Sequence, residues 1–336
     1  MTLKKDDFQT IGQFFTEKNV FENTAFLAWW KLISKKDKKA VLEPFAGKNG
    51  IVDMLKSIDW IDKKTKYISY DILPGRKDVE FRDTIESFPI GYNVAVTNPP
   101  FLAKNSATRK GLKNKIDPYS DLYEVCLFKC LDNLEYVAMI VPESFITTPY
   151  FKNRLFAVVS LTHKKIFKHT EQPVCLALFV KDETKDFLIY KNDILIGSFS
   201  ELKMRESRFC KDLSSSSLFE ISFHKTDGQL GFISTDATNH LKKLKIVNPS
   251  EILESDVNPY ARLRTRIKIT KNGKLIRVSI SFIKNFNSYI NEYRAETGDV
   301  FLTSFKGLRD DGSYRRRMSF LKLRELLLNF LQINHF

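Results

Sequence analysis

What most limits the fold of this chain is a string of short apolar runs, each closed by a polar residue and set apart by helix-like stretches. Ala40-Val41-Leu42 ends on Glu43, Tyr67-Ile68-Ser69-Tyr70 on Asp71, and Val94-Ala95-Val96-Thr97 on Asn98. Val79-Glu80-Phe81 and Tyr136 to Val141 read as two further strands, with more β candidates at 157–160, 165–167 and 174–180. Phe21 to Ile33 and Leu122 to Leu131 carry apolar residues at helical spacing. Strands alternating with helices predict an α/β fold built on a doubly wound, mostly parallel sheet. Ligands of such sheets bind outside the carboxyl ends of the strands, where strand order reverses. The pattern therefore brings Glu43, Asp71 and Asn98 to one end of the sheet.

The alternation fades after about residue 180, and 336 residues suffice for two domains. Residues 1–180 are expected to form the α/β domain, and 181–336 a smaller β-containing or α+β domain. The second part holds 27 Lys+Arg against 19 Asp+Glu, within a net charge of +14, a first hint of a polyanionic partner. Met1 to Asp7 lacks an apolar signal region, and the apolar stretch Ala25 to Ile33 is too short to span a bilayer and contains Lys31. A cytoplasmic setting with no membrane partner is expected. The four cysteines do not form a paired zinc pattern, so no metal is expected; Cys126 and Cys130 read as buried free thiols.

In the second part, Arg262 to Ile269 alternates strictly between basic and non-basic residues, and Asn272-Gly273 is a tight-hairpin turn. Folding there pairs Lys268 with Arg277 and Ile267 with Val278. Arg262, Arg264, Arg266, Lys268 and Arg277 then share one face, with Leu263, Ile267, Ile269, Ile276, Val278 and Ile280 on the other. Between Ala261 and Ile290 there are eight basic residues and no acidic one. So much like charge is self-repulsive unless an anion covers it; a solvated outer sheet face is the alternative. The cluster Tyr314-Arg315-Arg316-Arg317 favours phosphate contact, through Arg262, Arg264, Arg266 and Arg316. Phe320 to Leu331 has the pattern of an amphipathic, structural helix.

Asn98-Pro99-Pro100-Phe101 carries the most chemistry. Neither proline has an N–H, and each fixes φ near −65°. The resulting stiff turn presents the Asn98 amide oxygen and the Pro99 carbonyl as two acceptors beside an aromatic ring. That suits a planar group bearing an NH₂, such as the amino edge of a nucleobase. Glu43-Pro44-Phe45-Ala46-Gly47-Lys48-Asn49-Gly50 is a strand-to-helix turn with two glycines, neither a G-x-G-x-x-G fingerprint nor a P-loop. Asp71 stands where an acid can hydrogen-bond ribose hydroxyls, or can simply form a turn.

The order Gly12-Gln13-Phe14-Phe15-Thr16, Glu43-Pro44-Phe45-Ala46-Gly47, Asp71, Asn98-Pro99-Pro100-Phe101 resembles the amino-group DNA methyltransferases in their gamma arrangement. These enzymes use S-adenosylmethionine to methylate N6 of adenine or, more rarely, N4 of cytosine. The resemblance covers about the first 180 residues. It implies a Rossmann-like class I methyltransferase fold, S-adenosyl-L-methionine as cofactor, double-stranded DNA as partner and a C-terminal target-recognition domain. A restriction-modification setting is implied too, and whether a cognate restriction endonuclease is encoded nearby stays open. Carried over by position, Thr16 lines the methionine end of the cofactor, Glu43, Phe45 and Gly47 form its main loop, Asp71 binds ribose and Asp83 lies near the adenine. Asn98, Pro99, Pro100 and Phe101 become the catalytic element, with Phe101 stacked on a flipped-out base. Phe167 becomes the aromatic on its other face, with His169 as an alternative edge contact. Two departures stand out: Gly47-Lys48-Asn49-Gly50 is one residue longer than the family's Gly-x-Gly, and Glu43 replaces the commoner Asp. The same tetrapeptide occurs in base methylases of ribosomal RNA, and its acceptor geometry also serves a protein glutamine amide. The basic second half argues against a protein substrate. A DNA-binding protein with a vestigial cofactor fold is the reading from a different class.

Overall fold

The computed structural model describes residues 19–109, 116–161, 166, 171–210 and 218–334. The Gly12 to Thr16 element, Phe167 and His169 lie outside the described residues. The chain divides into two compact units, Met1–Ser198 and Phe199–Phe336.

The first unit runs α1 (Thr24–Leu32), β1 (Ala40–Glu43), α2 (Gly50–Ser57), β2 (Lys66–Asp71), β3 (Glu80–Phe81), β4 (Val94–Thr97), α3 (Lys104–Arg109), α4 (Leu122–Asn133) and β5 (Tyr136–Pro142). It continues with β6 (Leu155–Ser160), β7 (Val174–Phe179), β8 (Leu188–Lys191) and β9 (Ile194–Ser198). One nine-stranded sheet results, in the order β3-β2-β1-β4-β5-β7-β6-β8-β9. From β3 to β5 every neighbouring pair is parallel, and β7 lies antiparallel between β5 and β6. This is the doubly wound α/β sheet that the alternation implies. Every residue of β4 and β7 is buried, which is why these strands are continuous apolar runs rather than alternating ones. α1 starts where the Asn23 side chain accepts from Phe26 N–H at 2.8 Å, and it buries Phe26, Trp29 and Trp30. Trp29 Nε1 donates to the Phe179 carbonyl at 2.8 Å, so even the largest core ring has its polar atom paired. Cys126, Cys130 and Cys175 are buried free thiols.

The sheet does not stop at residue 180. β8 pairs in parallel with β6, and β9 closes a hairpin on β8, which carries the first unit to Ser198. Ile166 belongs to no strand. No helix among the described residues is long and apolar enough to cross a membrane.

The second unit holds α5 (Phe199–Phe209), β10 (Phe219–Phe223), β11 (Leu230–Ile233), β12 (Lys245–Val247), β13 (Arg264–Lys271) and β14 (Lys274–Leu275). α6 (Ile280–Thr297), β15 (Thr303–Leu308), β16 (Tyr314–Arg317) and α7 (Phe320–Ile333) follow. Its main sheet is antiparallel, in the order β10-β13-β11-β12, with β14 on β13. Ile267 and Ile269 of β13 pack in one core with Phe282, Phe286 and Ile290 of α6 and Leu323, Leu327 and Leu331 of α7.

The Asn272-Gly273 turn forms with positive φ at both residues, and Lys271 pairs with Lys274 in the expected register. The second arm is shorter than expected, however: strand β14 ends at Leu275, and one more bond in this register follows, from Ile276 N–H to the Ile269 carbonyl at 3.2 Å. β11 takes the same edge of β13 from Ile267 onward, so there is no room for Arg277 and Val278 to pair. The Gln229 side chain fills the junction, accepting from Ile269 N–H at 2.8 Å and donating to the Ile276 carbonyl at 3.2 Å. Ser279 then caps α6, and Ile280, assigned to the apolar face by the alternation, is 84% exposed.

Candidate active site

The chain leaves β1 for β2 and β3 on one side and returns to β4 on the other. Strand order therefore reverses between β1 and β4, and the carboxyl ends of these strands are Glu43 and Thr97. Thr97 Oγ1 donates to Glu43 Oε1 at 2.5 Å, and Phe45 N–H donates to the same oxygen at 3.0 Å. Glu43 is 1% exposed, and its other oxygen, Oε2, is buried with no hydrogen-bond partner among the described residues. Burial pushes this carboxyl up to about 8, although the Thr97 and Phe45 hydrogen bonds pull the other way. An unsatisfied buried oxygen costs about 1–3 kcal/mol, a cost that a cationic or donor group of a ligand would relieve.

The loop after β1 is laced to the end of β2. Gly47 N–H donates to Asp71 Oδ2 and Leu73 N–H to Asp71 Oδ1, both at 2.7 Å. Gly75 N–H donates to the Gly47 carbonyl at 2.8 Å, so close that a Cβ at Gly75 would lie 2.8 Å from that oxygen. Gly47 itself has φ +52°, a conformation that glycine adopts at no steric cost. The extra loop residue is absorbed by Asn49, which takes the left-handed conformation (φ +62°) in place of a second glycine. Its side chain accepts from Ser69 Oγ at 2.9 Å and donates to Asp78 Oδ2 at 3.0 Å. Gly50 becomes the first residue of α2. Phe45 is half-buried. Asp71 pairs across the ladder with Phe81. Ile72 and Phe81, 42% and 75% exposed, leave an apolar surface at this edge that the polar pattern of strand ends did not reveal. Asp83 follows, its Oδ1 accepting from Ile85 N–H at 3.1 Å.

The tetrapeptide begins directly after β4, with Pro99 buried and Asn98 Oδ1 screened from solvent. The Phe101 ring meets Tyr123 edge-on, at 6.2 Å and 89°. Leu102 N–H donates to Asp121 Oδ1 at 2.9 Å, and Leu122 N–H to the Leu102 carbonyl at 3.1 Å. Asp121 caps α4 in a capping box with Glu124, so one carboxylate starts a helix and pins the turn beside it. Burial raises this carboxyl above its usual range. Asp121-Leu122-Tyr123-Glu124 is a legible D-x-x-E signature that the motif reading passed over.

The basic residues of the second unit divide. Arg262 is exposed, and the Arg264 side chain is half-exposed, 3.8 Å from Asp256. Arg266 is not the phosphate ligand expected: its side chain is 15% exposed. Its guanidinium donates to the carbonyls of Pro249 (3.0 Å), Thr226 (3.0 Å) and Ile252 (2.7 Å). Lys268 is paired with Asp227 at 2.5 Å. The segment carrying Pro249, Glu254 and Asp256 returns over this face, and glycine at 231 makes room for it. A Cβ there would stand 2.6 Å from Ile252 Cγ1. Arg316 is also corrected: it is 5% exposed and donates to Ser304 Oγ at 2.5 Å. An interior guanidinium bonded in this way does not reach a surface phosphate.

No protein-family model matches the chain, and no curated protein does. Among solved structures, the methyltransferase subunit of a type I restriction-modification system from Streptococcus thermophilus aligns over 61% of this chain and 50% of its own, at 14% identity and TM-score 0.40. The M protein of the type I restriction enzyme EcoKI aligns over 46% and 44%, at 15% identity and TM-score 0.34. A DrdV–DNA complex aligns over 56% and 28%, at 13% identity and TM-score 0.43. The chain thus spans half the length of the first of these proteins, and less of the other two.

Proposed function

We propose that this protein is an S-adenosylmethionine-dependent methyltransferase acting on an exocyclic amino group of a nucleobase. Its target in this reading is N6 of a flipped-out adenine in duplex DNA, in a restriction-modification setting. One observation carries the reading: the Asn98-Pro99-Pro100-Phe101 turn, the half-satisfied Glu43 carboxyl and the Gly47–Asp71 lacing stand at the ends of adjacent strands around the switch point.

The residues present fit the cofactor. Glu43 Oε2, buried and unpaired, suits its ammonium group. Gly47 allows close backbone approach, and the Asp71 carboxylate, held at the end of β2 by Gly47 and Leu73 N–H, stands where ribose hydroxyls would lie. Ile72 and Phe81 offer apolar surface to its adenine, with Asp83 nearby in sequence. Thr16 is assigned to its methionine end by the resemblance alone. When bound, the cofactor supplies an electrophilic methyl group on a sulfonium.

The chain's own part follows from the chemistry of an aryl amine, whose lone pair is delocalised into the ring. Asn98 Oδ1 and the Pro99 carbonyl accept the two amino hydrogens and favour a tetrahedral nitrogen with its lone pair freed. Pro100 keeps the turn extended, and Phe101, braced by Tyr123, stacks on the base. Catalysis is then mostly positioning, an advantage that reaches ~7–11 kcal/mol. Extruding the base costs a few kcal/mol, and Phe167 is the proposed aromatic on its other face. The second unit is the proposed target-recognition domain, with Arg262 and Arg264 toward phosphate.

The test is transfer of labelled methyl from S-adenosylmethionine to duplex DNA, ribosomal RNA and protein side by side, followed by nucleoside analysis. Label recovered as N6-methyladenine from duplex DNA is the expected result. Label confined to RNA or to protein, or no label at all, overturns it.

A further inference from the structure

From after β11 to the first residue of β12 the chain makes a tongue, residues 237–245, with the sequence Ala-Thr-Asn-His-Leu-Lys-Lys-Leu-Lys and no acidic residue. Leu241 at its tip is 77% exposed, and Lys242, Lys243 and Lys245 are all exposed. Such a loop would ordinarily be soft. This one is braced. Ala237 N–H donates to the Lys242 carbonyl at 2.8 Å, and Leu241 N–H to Asn239 Oδ1 at 2.9 Å. From the turn after β15, Arg309 Nη2 donates to the His240 carbonyl at 3.0 Å, and Asp310 N–H to the Thr238 carbonyl at 3.0 Å. Asp310 in turn accepts from His240 N–H at 2.9 Å and contacts His240 Nδ1 at 2.8 Å.

The base of the tongue is fixed more firmly still. Asp236, 1% exposed, accepts from Leu244 N–H at 2.9 Å, from Arg316 N–H at 3.1 Å and from both terminal nitrogens of Arg294. Burial raises this carboxyl, but the Arg294 guanidinium together with the Leu244 and Arg316 N–H groups holds it below its usual range. Two residues earlier, Ser234 Oγ donates to the Arg262 carbonyl at 2.8 Å, placing exposed Arg262 beside the tongue's root. The acids beside the tongue are engaged within the turn, Asp310 by hydrogen bonds with His240 and Asp311 by the Arg309 guanidinium at 3.0 Å.

We infer that this tongue is a nucleic-acid contact of the second unit, in which Leu241 wedges between base pairs while Lys242, Lys243 and Lys245 hold the flanking phosphates. The inference rests on the nucleic-acid reading above. A stiff loop that keeps a leucine in water has its ordering cost met before binding, which is what a wedge requires. Apolar side chains of this size serve as wedges where proteins unstack and kink a duplex. The lysines supply the counterion-releasing part of the same contact.

The experiment titrates duplex and single-stranded DNA with the full protein over a salt series, with methyl transfer measured on the same duplex. Wild type is compared with Leu241→Ala and with the triple variant Lys242→Gln, Lys243→Gln, Lys245→Gln. All three lysines and Leu241 are exposed, so thermal melts should match wild type. Leu241→Ala should lose on the order of tenfold in duplex affinity, with single-strand affinity and salt slope unchanged. The triple variant should lower the salt slope by roughly 2–3. If wild type binds and methylates duplex DNA while both variants bind as it does, the tongue is overturned and the enzymatic reading stands. Duplex binding without methylation, impaired in both variants, keeps the tongue and sinks the enzymatic reading. No duplex binding by wild type overturns the tongue.

Discussion

Thr97 Oγ1 donates to Glu43 Oε1 at 2.5 Å, joining the last residues of β4 and β1 across the point where strand order reverses. The bond satisfies only one side of a carboxyl that is otherwise sealed from water. It also orders the backbone one residue before Asn98. The two halves of the proposed site, cofactor loop and acceptor turn, are thus linked through a single buried acid.

That acid makes stability depend on pH. Burial raises the Glu43 carboxyl from 4.5 to about 8, so between these values the folded state holds a proton that the unfolded state has released. Stability should therefore fall as pH rises from about 4.5 and level off above about 8. Glu43→Gln keeps an acceptor for Thr97 and removes the titration. Thermal melts without cofactor from pH 5 to 9 should show the variant falling less steeply than wild type. Parallel curves would mean that Glu43 titrates normally.

The acceptor turn makes a sharper claim. Asn98→Ala removes one of the two acceptors and leaves the loop at Glu43, Gly47 and Asp71 untouched. Methyl transfer should be abolished while S-adenosylmethionine affinity, measured by calorimetry, stays within about twofold of wild type, the pattern of a group acting mainly in the transition state. Full activity in this variant would remove the acceptor mechanism.

Asp121 should act at one remove, as a positioning residue. Asp121→Ala takes away the cap of α4 and the acceptor for Leu102 N–H. Loss of the cap costs about 1 kcal/mol of stability. Loss of the tether should lower kcat by roughly 10- to 100-fold through misplacement of the turn, with cofactor affinity unchanged. Asp121→Asn, which caps nearly as well, should recover much of the activity. An alanine variant with normal kcat would show that the turn holds itself.

Much of the first unit was legible because parallel strands buried on both faces, such as β1 and β4, must be short apolar runs, and β1, β2 and β4 end at or next to the polar residues that close those runs. Contacts between such ends were not legible: Glu43 and Thr97 lie far apart in sequence and meet only through strand order. The same gap explains Arg266. Strict alternation gave its face correctly but could not show that residues 249–256 return to cover it, in space that glycine at 231 leaves open. The hairpin failed for a related reason, since two strands competed for one edge of β13 and β11 held it. β8 and β9, with few buried residues, gave too faint an apolar signal to extend the first unit to Ser198.

Asp236 is the structural test of the second unit. Arg294 is 7% exposed and bonds to Asp236 and Asp299. Removing one partner of a buried ion pair costs about 3–5 kcal/mol where the other charge is left uncompensated. Here Asp299 keeps Arg294 partly paired, so the loss should be smaller, with the Leu244 and Arg316 N–H groups also losing their acceptor. Asp236→Ala should therefore lower the melting temperature markedly and expose residues 237–245 to proteolysis, detectable by limited digestion and mass mapping. A melting temperature equal to wild type would show that the network contributes little.

Arg262 and Arg266 lie on one face of the alternation, yet they should separate cleanly. Arg266 spends its guanidinium on three main-chain carbonyls, from Pro249, Thr226 and Ile252. Arg266→Ala would strand those carbonyls and loosen the covering segment, so its effect should be on folding: a lower melting temperature with an unchanged salt slope for DNA binding. Arg262 is exposed beside the root of the tongue. Arg262→Ala should melt as wild type does and lower the salt slope by about 1. If instead Arg266→Ala lowers the salt slope while melting normally, its side chain leaves those carbonyls for phosphate, and the covered face belongs to the DNA contact after all.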